Sequence, residues 1–231
     1  MKTIGLIGGM SWESTVPYYR LINESVRARL GGLHSAKLLL HSVDFHEIEA
    51  MQRHGEWEAA GARLAEAARG LEAAGAEVLL IGANTMHRVA PAVEAAVRIP
   101  LLHVADATAQ AIAAAGLRRV GLLGTRFTME QAFYRQRLRA HGLDVRVPDE
   151  GDRAQVHRII YEELCVGRML PRSRECFRAV MARLVERGAE GIVLGCTEIG
   201  LLVDAADAPV PLFDTTRLHA EAAVAWALAD V

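Results

Sequence analysis

The fold of this 231-residue chain can be inferred outward from one stretch, Gly188-Ala-Glu-Gly-Ile-Val-Leu-Gly-Cys-Thr-Glu-Ile-Gly200. Its apolar run, residues 192–194, is typical of a buried parallel strand. A thiol, a hydroxyl and a carboxylate follow in Cys196, Thr197 and Glu198. A free cysteine is often only a small apolar core residue, but a position between glycine, threonine and glutamate favours a chemical role. The stretch therefore predicts a strand that carries functional side chains at its carboxyl end.

Internal self-similarity extends this interpretation to the whole chain. Three pairs of segments recur in the same order at offsets of 116, 113 and 111 residues: 4–8 with 120–124, 75–82 with 188–195, and 99–102 with 210–213. Each pair alone is a weak signal, but three pairs at nearly one offset are hard to obtain by chance. The chain is therefore predicted to be two similar α/β halves of four strands each.

Apolar runs alternate with alanine-rich helical patterns, which predicts parallel sheets covered by helices. The eight predicted strands are residues 3–7, 36–42, 78–81, 101–103, 120–123, 144–147, 192–194 and 211–213. Thr128 followed by Gln131 predicts a capping box that opens a helix towards His141. Pro17 is predicted in the first turn of the first helix.

Composition narrows the class of function. The 26 Lys and Arg residues nearly balance the 28 Asp and Glu residues, without the basic stripe that binds nucleic acid. Three cysteines without metal-ligand spacing or an even count indicate a reducing compartment, so we expect a cytoplasmic protein. No apolar segment approaches the length of a membrane span. These features predict a soluble protein with neither a nucleic-acid nor a membrane partner.

The loops after the first and third strands of each half are predicted to lie at the carboxyl edge of its sheet, where open α/β sheets bind ligands. Those loops are residues 8–12, 82–85, 124–128 and 195–198. Their N–H groups and threonine hydroxyls suit a small carboxylate. His87, two residues after Thr85, is expected to orient its loop. Nucleotide binding is disfavoured because G-x-G-x-x-G and P-loop motifs are absent, and His41, His46 and His54 are interpreted as solvated or core histidines instead of metal ligands.

Together these loops resemble the aspartate/glutamate racemase family, and its L-aspartate/glutamate-specific members in particular. The resemblance rests on residues 8–15 (Gly-Gly-Met-Ser-Trp-Glu-Ser-Thr), 84–87 (Asn-Thr-Met-His) and 195–200 (Gly-Cys-Thr-Glu-Ile-Gly), and it covers essentially the whole chain. It implies two Rossmann-like domains related by a pseudo-twofold, a site in the cleft between them, no cofactor, and commonly a homodimer. Because the last strand and helix return to the first domain in this family, the expected domains are residues 1–98 plus 210–231, and 99–209.

The expected chemistry needs two acid/base groups. Racemising an amino acid without pyridoxal removes the Cα proton on one face and returns a proton on the other, so both faces must be served. The resemblance implies one thiol from each half, and Cys196 is the second. The offset of 113 maps position 196 onto Ala83, where the family motif also has its first cysteine. Alanine cannot carry a proton, which leaves open a natural one-thiol site, with water or a neighbouring group on the second face, and a variant altered at one catalytic position to trap a ligand.

The resemblance also implies substrate contacts from further residues. They are Met10, Gln52, Asn84, Thr85, Thr197 and Glu198, with Gln52 expected in a loop after the second strand. Family members place a basic residue near the position of Leu164 to hold the distal carboxylate, and here that residue is apolar. Arg53 and Arg126 are the alternative donors, because arginine commonly clamps carboxylates.

The sequence thus predicts a cofactor-independent isomerase, an amino-acid racemase of D-amino acid metabolism that acts on aspartate or glutamate with Cys196 as acid/base. Two alternatives stay open: a related cofactor-free decarboxylase or isomerase, and a catalytically impaired variant that only binds a small dicarboxylate. Fold alone does not decide among them.

Overall fold

Seven strands form two parallel sheets in residues 1–229, the part of the chain that the computed structural model describes. The strands are β1 (Ile4–Gly8), β2 (Leu38–Ser42), β3 (Val78–Ile81), β4 (Arg119–Gly124), β5 (Asp144–Arg146), β6 (Gly191–Gly195) and β7 (Leu212–Asp214). Seven of the eight predicted strands are therefore confirmed. The eighth, at residues 101–103, is reduced to an isolated parallel bridge between Leu101 and Leu79, so four full strands in each half is wrong for the first half.

One or two helices connect each strand to the next along the chain, and α11 follows the last strand. They are α1 (Trp12–Leu30), α2 (Phe45–His54), α3 (Trp57–Ala73), α4 (Ala90–Glu94), α5 (Val104–Ala114), α6 (Arg126–Glu130), α7 (Ala132–Ala140), α8 (Glu150–Glu162), α9 (Pro171–Glu186), α10 (Ile199–Leu202) and α11 (Thr215–Ala227). Short 3₁₀ turns span Thr85–Val89, Leu164–Val166 and Ala205–Asp207.

Two local predictions about helix starts are wrong. Thr128 lies inside α6, and the residue that caps α6 is Thr125, whose hydroxyl accepts a bond from the Thr128 N–H at 3.3 Å. Gln131 instead precedes the first residue of α7. Pro17 is the sixth residue of α1, beyond its first turn. A proline there leaves a carbonyl of the preceding turn without its helical partner, a cost that packing of the helix must offset.

The first sheet has the order β2-β1-β3. Alternate strand residues point to opposite faces, so Leu6 and Leu80 enter one apolar cluster while Ile7 and Ile81 enter another. The first cluster packs against α1 and α11, and the second against α3. Burial on both faces explains why β1 and β3 contain only apolar residues and glycine, whereas the edge strand β2 is partly exposed and ends in His41 and Ser42.

The second sheet, with the order β5-β4-β6-β7, repeats the first. β4 pairs with β5 and β6 as β1 pairs with β2 and β3. Ile192 is in register with Leu212, and at the matching positions Leu79 is bridged to Leu101. The internal duplication predicted from the sequence is confirmed in topology and in register.

The chain divides into two compact units, Met1–Val104 with the chain from His219 onward, and Ala105–Leu218. The first unit is thus discontinuous, as expected, but its limits fall several residues after those expected at 98/99 and 209/210. β7 pairs with β6 in the sheet of the second unit, so the last strand does not return to the first domain. No described helix combines the length and apolarity needed to cross a membrane.

Candidate functional site

In the second unit, the loop predicted to carry functional side chains lies directly after β6. Gly195 is required there because a Cβ would lie 2.7 Å from the backbone oxygen of Leu123 on the neighbouring strand β4. The Thr215 hydroxyl donates to the Leu194 carbonyl at 2.8 Å and so ties the end of β6 to the start of α11. Cys196 follows at the end of a fixed strand, as the sequence predicts.

Cys196, Thr197 and Glu198 are all buried, with 8, 4 and 1% of their surface exposed. The Cys196 Sγ donates to Glu198 Oε2 at 2.9 Å, and the Thr197 hydroxyl donates to the same oxygen at 2.9 Å. Burial, the negative charge of Glu198 and the neighbouring Cys165 raise the pKa of the Cys196 thiol well above its ordinary value. Cys196 is therefore held as a neutral thiol, ready to give a proton.

The first unit carries the matching loop after β3. Ala83 is buried, two residues beyond the end of β3, with Asn84 and Thr85 buried after it. The His87 Nδ1 lies 2.7 Å from the Ala83 carbonyl, and its Nε2 accepts from the Val104 N–H at 3.2 Å. Since a carbonyl only accepts, His87 is the Nδ1–H tautomer and donates to Ala83. These two bonds fit the expected role of His87 in orienting its loop, which stays a prediction.

Met10 and Gln52 lie in the same unit. Met10 is buried and follows Gly9, whose φ of 89° and close approach to the Val43 carbonyl exclude a side chain. Gln52 lies in α2 and not in a loop, so that expectation is wrong. Its amide donates to the Met86 Sδ at 3.0 Å, and its side chain is buried. Met10, Ala83 and Met86 therefore belong to one apolar cluster of the first unit, and Gln52 is bonded to that cluster through Met86.

A comparison with protein-family models identifies the chain's relatives. The model for Asp/Glu/hydantoin racemases matches residues 7–223. The chain belongs to this racemase family.

Solved and curated relatives agree with that assignment. The "putative Asp/Glu Racemase" of Yersinia pestis is 58% identical over 99% of this chain and 100% of that chain, with a TM-score of 0.91. An aspartate racemase homologue from Pyrococcus horikoshii is 36% identical over 99 and 100% of the two chains, with a TM-score of 0.85. The broad specificity amino-acid racemase RacX of Bacillus subtilis is 23% identical over 98% of each chain. Family membership therefore supports an amino-acid racemase.

Two arginines and one leucine were singled out from the sequence in connection with a distal carboxylate. Leu164 is fully buried in the same apolar cluster as Cys196, so it offers no charge. Arg126 begins α6 beside the end of β4 and pairs with Glu130 at 3.5 Å. Arg53 lies in the last turn of α2 and pairs with Glu49 at 3.5 Å. Both arginines are more than half exposed, so a ligand can compete with either surface pair.

Sequence reasoning missed a buried aromatic group in the first unit of this racemase-family chain. His219 Nε2 lies 2.8 Å from the Leu102 carbonyl, and its Nδ1 lies 2.9 Å from the Tyr18 hydroxyl. The His219 ring also lies 5.7 Å from that of His87, which in turn lies 4.4 Å from His103. No motif marks His219, because its partners are 117 and 201 residues away. Within residues 1–229, no group of three or more His, Cys, Asp or Glu side chains is arranged to hold a metal ion.

Proposed function

We propose that the protein is a cofactor-independent racemase of aspartate or glutamate in which Cys196 exchanges a proton with the substrate Cα. The observation that carries this proposal is a buried thiol at the carboxyl end of β6 that is hydrogen-bonded to a carboxylate. Membership of the Asp/Glu/hydantoin racemase family supports the same chemistry. The substrate-contact roles of Met10, Gln52, Asn84, Thr85, Thr197 and Glu198 belong to this proposal and come from the resemblance.

Cys196 can account for proton transfer on one face of the substrate Cα. As a thiolate, Cys196 takes the Cα proton, and as a thiol it returns one, so it serves the face that it reaches. The duplication predicts position 83 for the other face, and Ala83 has no group that moves a proton. Water or a neighbouring group must serve that face. Cα exchange is therefore expected to be faster for one enantiomer than for the other.

Two other functions fit the same thiol. A cofactor-free decarboxylase or isomerase would also use Cys196 as a proton donor, and a binder of small dicarboxylates would use only the polar loops. The three functions differ in product: racemisation changes chirality, decarboxylation releases CO₂, and a binder changes neither. The racemase is favoured because the family model matches nearly the whole chain.

The decisive experiment is incubation with L- and D-aspartate and L- and D-glutamate in deuterated water. NMR follows Cα exchange, and chiral chromatography follows the product. We expect exchange in at least one of the four amino acids and unequal rates for its enantiomers. Equal rates for both enantiomers contradict a one-thiol site, and binding without exchange favours the dicarboxylate binder.

Matched cysteine variants assign the chemistry to one sulfur. Cys196→Ser keeps the size of the side chain but removes the better base, so exchange should fall roughly 10²–10⁴-fold. Cys165→Ala is the control, because Cys165 packs against the same apolar cluster and should leave turnover nearly intact. Exchange that survives Cys196→Ser would move the chemistry to another residue.

We also propose a homodimer, as the family resemblance implies. Three large side chains spaced along one side of α1 are exposed, Trp12 by 62%, Val16 by 57% and Tyr19 by 57%. An exposed apolar stripe of this kind is typical of an interface. Light scattering should give twice the monomer mass of 25.1 kDa, and Tyr19→Glu should halve it. Val166→Glu, at an equally exposed position in the second unit, is the control that should not.

A further inference from the structure

We infer that Asp214 is a positioning residue for Cys196: from the end of β7 it holds the loop of residues 195–199 in place. The inference rests on the proposed function, in which Cys196 exchanges a proton with the substrate Cα. Asp214 does not touch the substrate in this role. It keeps the sulfur at one place, because a displacement of about 1 Å can slow an enzyme roughly 10²-fold.

The chain that enters this loop is fixed by the segment that begins with Asp214. Asp214 is the last residue of β7 and lies in register with Leu194, two residues before Cys196. Thr215, the next residue, donates its hydroxyl to the Leu194 carbonyl at 2.8 Å. Strand pairing and a side-chain bond from adjacent residues therefore hold the same point at the end of β6.

The chain that leaves the loop approaches the Asp214 carboxyl group. A Cβ added at Gly200 would lie 2.8 Å from Asp214 Oδ2, which is too close, so the carboxyl group packs directly on the backbone of α10. The Ile199 N–H donates to the Cys196 carbonyl at 3.1 Å, so the first turn of α10 is bonded to the cysteine itself. Residues 214 and 215 thus contact the loop at both of its ends.

The other oxygen of Asp214 fixes the carboxyl group. Oδ1 accepts from the N–H groups of Thr216 at 2.9 Å and Arg217 at 3.4 Å, which are bonds typical of a helix N-cap. These bonds to the first turn of α11 restrict rotation of the side chain. Burial raises the pKa of the Asp214 carboxyl group, which agrees with its packing against the protein.

The internal duplication contains a matching contact in the first unit. The offset of 111 maps Asp214 onto His103. The offset of 113 maps Gly200 onto His87. The ring centroids of His103 and His87 lie 4.4 Å apart, and His87 donates to the Ala83 carbonyl at 2.7 Å. Both units therefore place the same pair of positions in contact beside the matching loop, although the residue types differ, and this agreement favours a common role in holding the loop.

Three variants separate positioning from a simple loss of stability. Asp214→Ala removes the carboxyl group, and Asp214→Asn keeps its shape and an oxygen that accepts from the α11 N–H groups. Gly200→Ala adds a Cβ that collides with Oδ2, and it carries the test by itself if Asp214→Ala does not fold. Asp149→Ala is the matched control, because Asp149 caps α8 of the same unit by accepting from the Asp152 N–H at 2.9 Å.

Two of the measurements need no turnover. Hydrogen exchange followed by mass spectrometry gives the protection of the amides of residues 195–202. Alkylation by iodoacetamide gives the access to the Cys196 sulfur, with the half-buried Cys176 of α9 as the internal reference. Cα exchange of aspartate and glutamate in deuterated water then gives kcat/KM, and urea unfolding gives the stability of each variant.

We expect Asp214→Ala and Gly200→Ala to speed hydrogen exchange of the loop and alkylation of Cys196 roughly 2–30-fold, the factor that loss of a helix cap produces. Both should lower kcat/KM roughly 10–100-fold. Asp214→Asn should stay close to the wild type, since it keeps both contacts. Asp149→Ala should lose stability but leave the loop and turnover unchanged. The double variant Asp214→Ala/Gly200→Ala should be little worse than either single variant, because both changes disturb one contact.

Three results overturn the inference. Loop protection and Cys196 alkylation that match the wild type in Asp214→Ala mean that the carboxyl group does not hold the loop. Equal effects of Asp149→Ala mean that only the stability of the unit matters. Fold-changes that multiply in the double variant mean that the two residues act separately. If the wild type exchanges none of the four amino acids, the proposed function fails, whereas loop protection and alkylation still decide whether Asp214 holds Cys196 in place.

Discussion

Acid should destabilise the first unit through His219. Its side chain is completely buried, and burial lowers its pKa from 6.5 to about 4. Both ring nitrogens are engaged: since the Leu102 carbonyl can only accept, Nε2 carries the proton, and Nδ1 accepts from the Tyr18 hydroxyl. A second proton on Nδ1 would break the bond from Tyr18 and place a charge in the core. Besides Tyr18, the titratable His87 ring lies near His219, with the two ring centroids 5.7 Å apart.

The magnitude follows from proton linkage. Between pH 6.5 and 4 the unfolded chain binds a proton at His219 that the folded chain does not bind, so the free energy of unfolding falls as the pH falls. Each pKa unit corresponds to about 1.4 kcal/mol, which gives a total loss of roughly 3 kcal/mol below pH 4. Roughly 2 kcal/mol of this is lost by pH 5.

The assay is urea unfolding at pH 7 and pH 5, followed by tryptophan fluorescence. Trp12, Trp57 and Trp226 all lie in the first unit, so the signal reports that unit. His219→Gln keeps a donor for Leu102 but does not titrate, and it is the control. We expect wild-type stability to drop roughly 2 kcal/mol more than that of His219→Gln between the two pH values. Parallel losses in the two proteins would refute a buried neutral His219.

Three further predictions test the site and its supports. Ala83→Cys should raise two-way racemisation roughly 10²–10⁴-fold, at an overpacking cost of roughly 1–3 kcal/mol because Ala83 lies in an apolar cluster; a folded, aspartate-binding variant no faster than the parent contradicts the two-face interpretation. Arg126→Leu should raise the KM for aspartate roughly 10–100-fold through loss of a charge-assisted hydrogen bond, while Arg53→Leu should not, and the reverse pattern would exchange their roles. Thr215→Val should lower the stability of the second unit by about 1–3 kcal/mol, measured by circular dichroism, because the buried Leu194 carbonyl loses its hydroxyl donor; an unchanged unfolding midpoint would contradict this.

Most of the fold could be predicted from the sequence because its signals are local. β3 and β6 are buried on both faces, so each is a short continuous apolar run in the sequence. Such a run can be recognised as a strand without knowing which strands it pairs with. The duplication predicted two similar α/β halves, and the two sheets share their strand order over β2-β1-β3 and β5-β4-β6. The segment around Leu101 has the same local sequence pattern as β7. It forms only one bridge, to Leu79, whereas β7 pairs with β6 over three residues. The difference therefore lies in how each segment pairs with its neighbouring strand and not in its residue types.

Some features of the candidate site also follow from the sequence, and others only from the fold. The sequence by itself indicated Cys196 and the matching position of Ala83 as candidates, because both follow from a repeated segment. It also determined the family, since the motifs lie at fixed places along the chain. The raised pKa of the Cys196 thiol needed the tertiary structure, because a pKa depends on burial and on the neighbours that folding brings together.

Helix limits and buried polar partners also needed the tertiary structure. The loop expected around Gln52 is wrong although the segment carries helix signals, with Asp44 as its N-cap and the left-handed Gly55 after its end. The burial of the Gln52 amide against Met86 is visible only in the fold. His219 had no signal at all, since its contacts with Tyr18 and Leu102 join residues 201 and 117 positions apart. Sequence patterns record what each segment prefers, whereas burial and charge at a site are set by segments that meet only when the chain is folded.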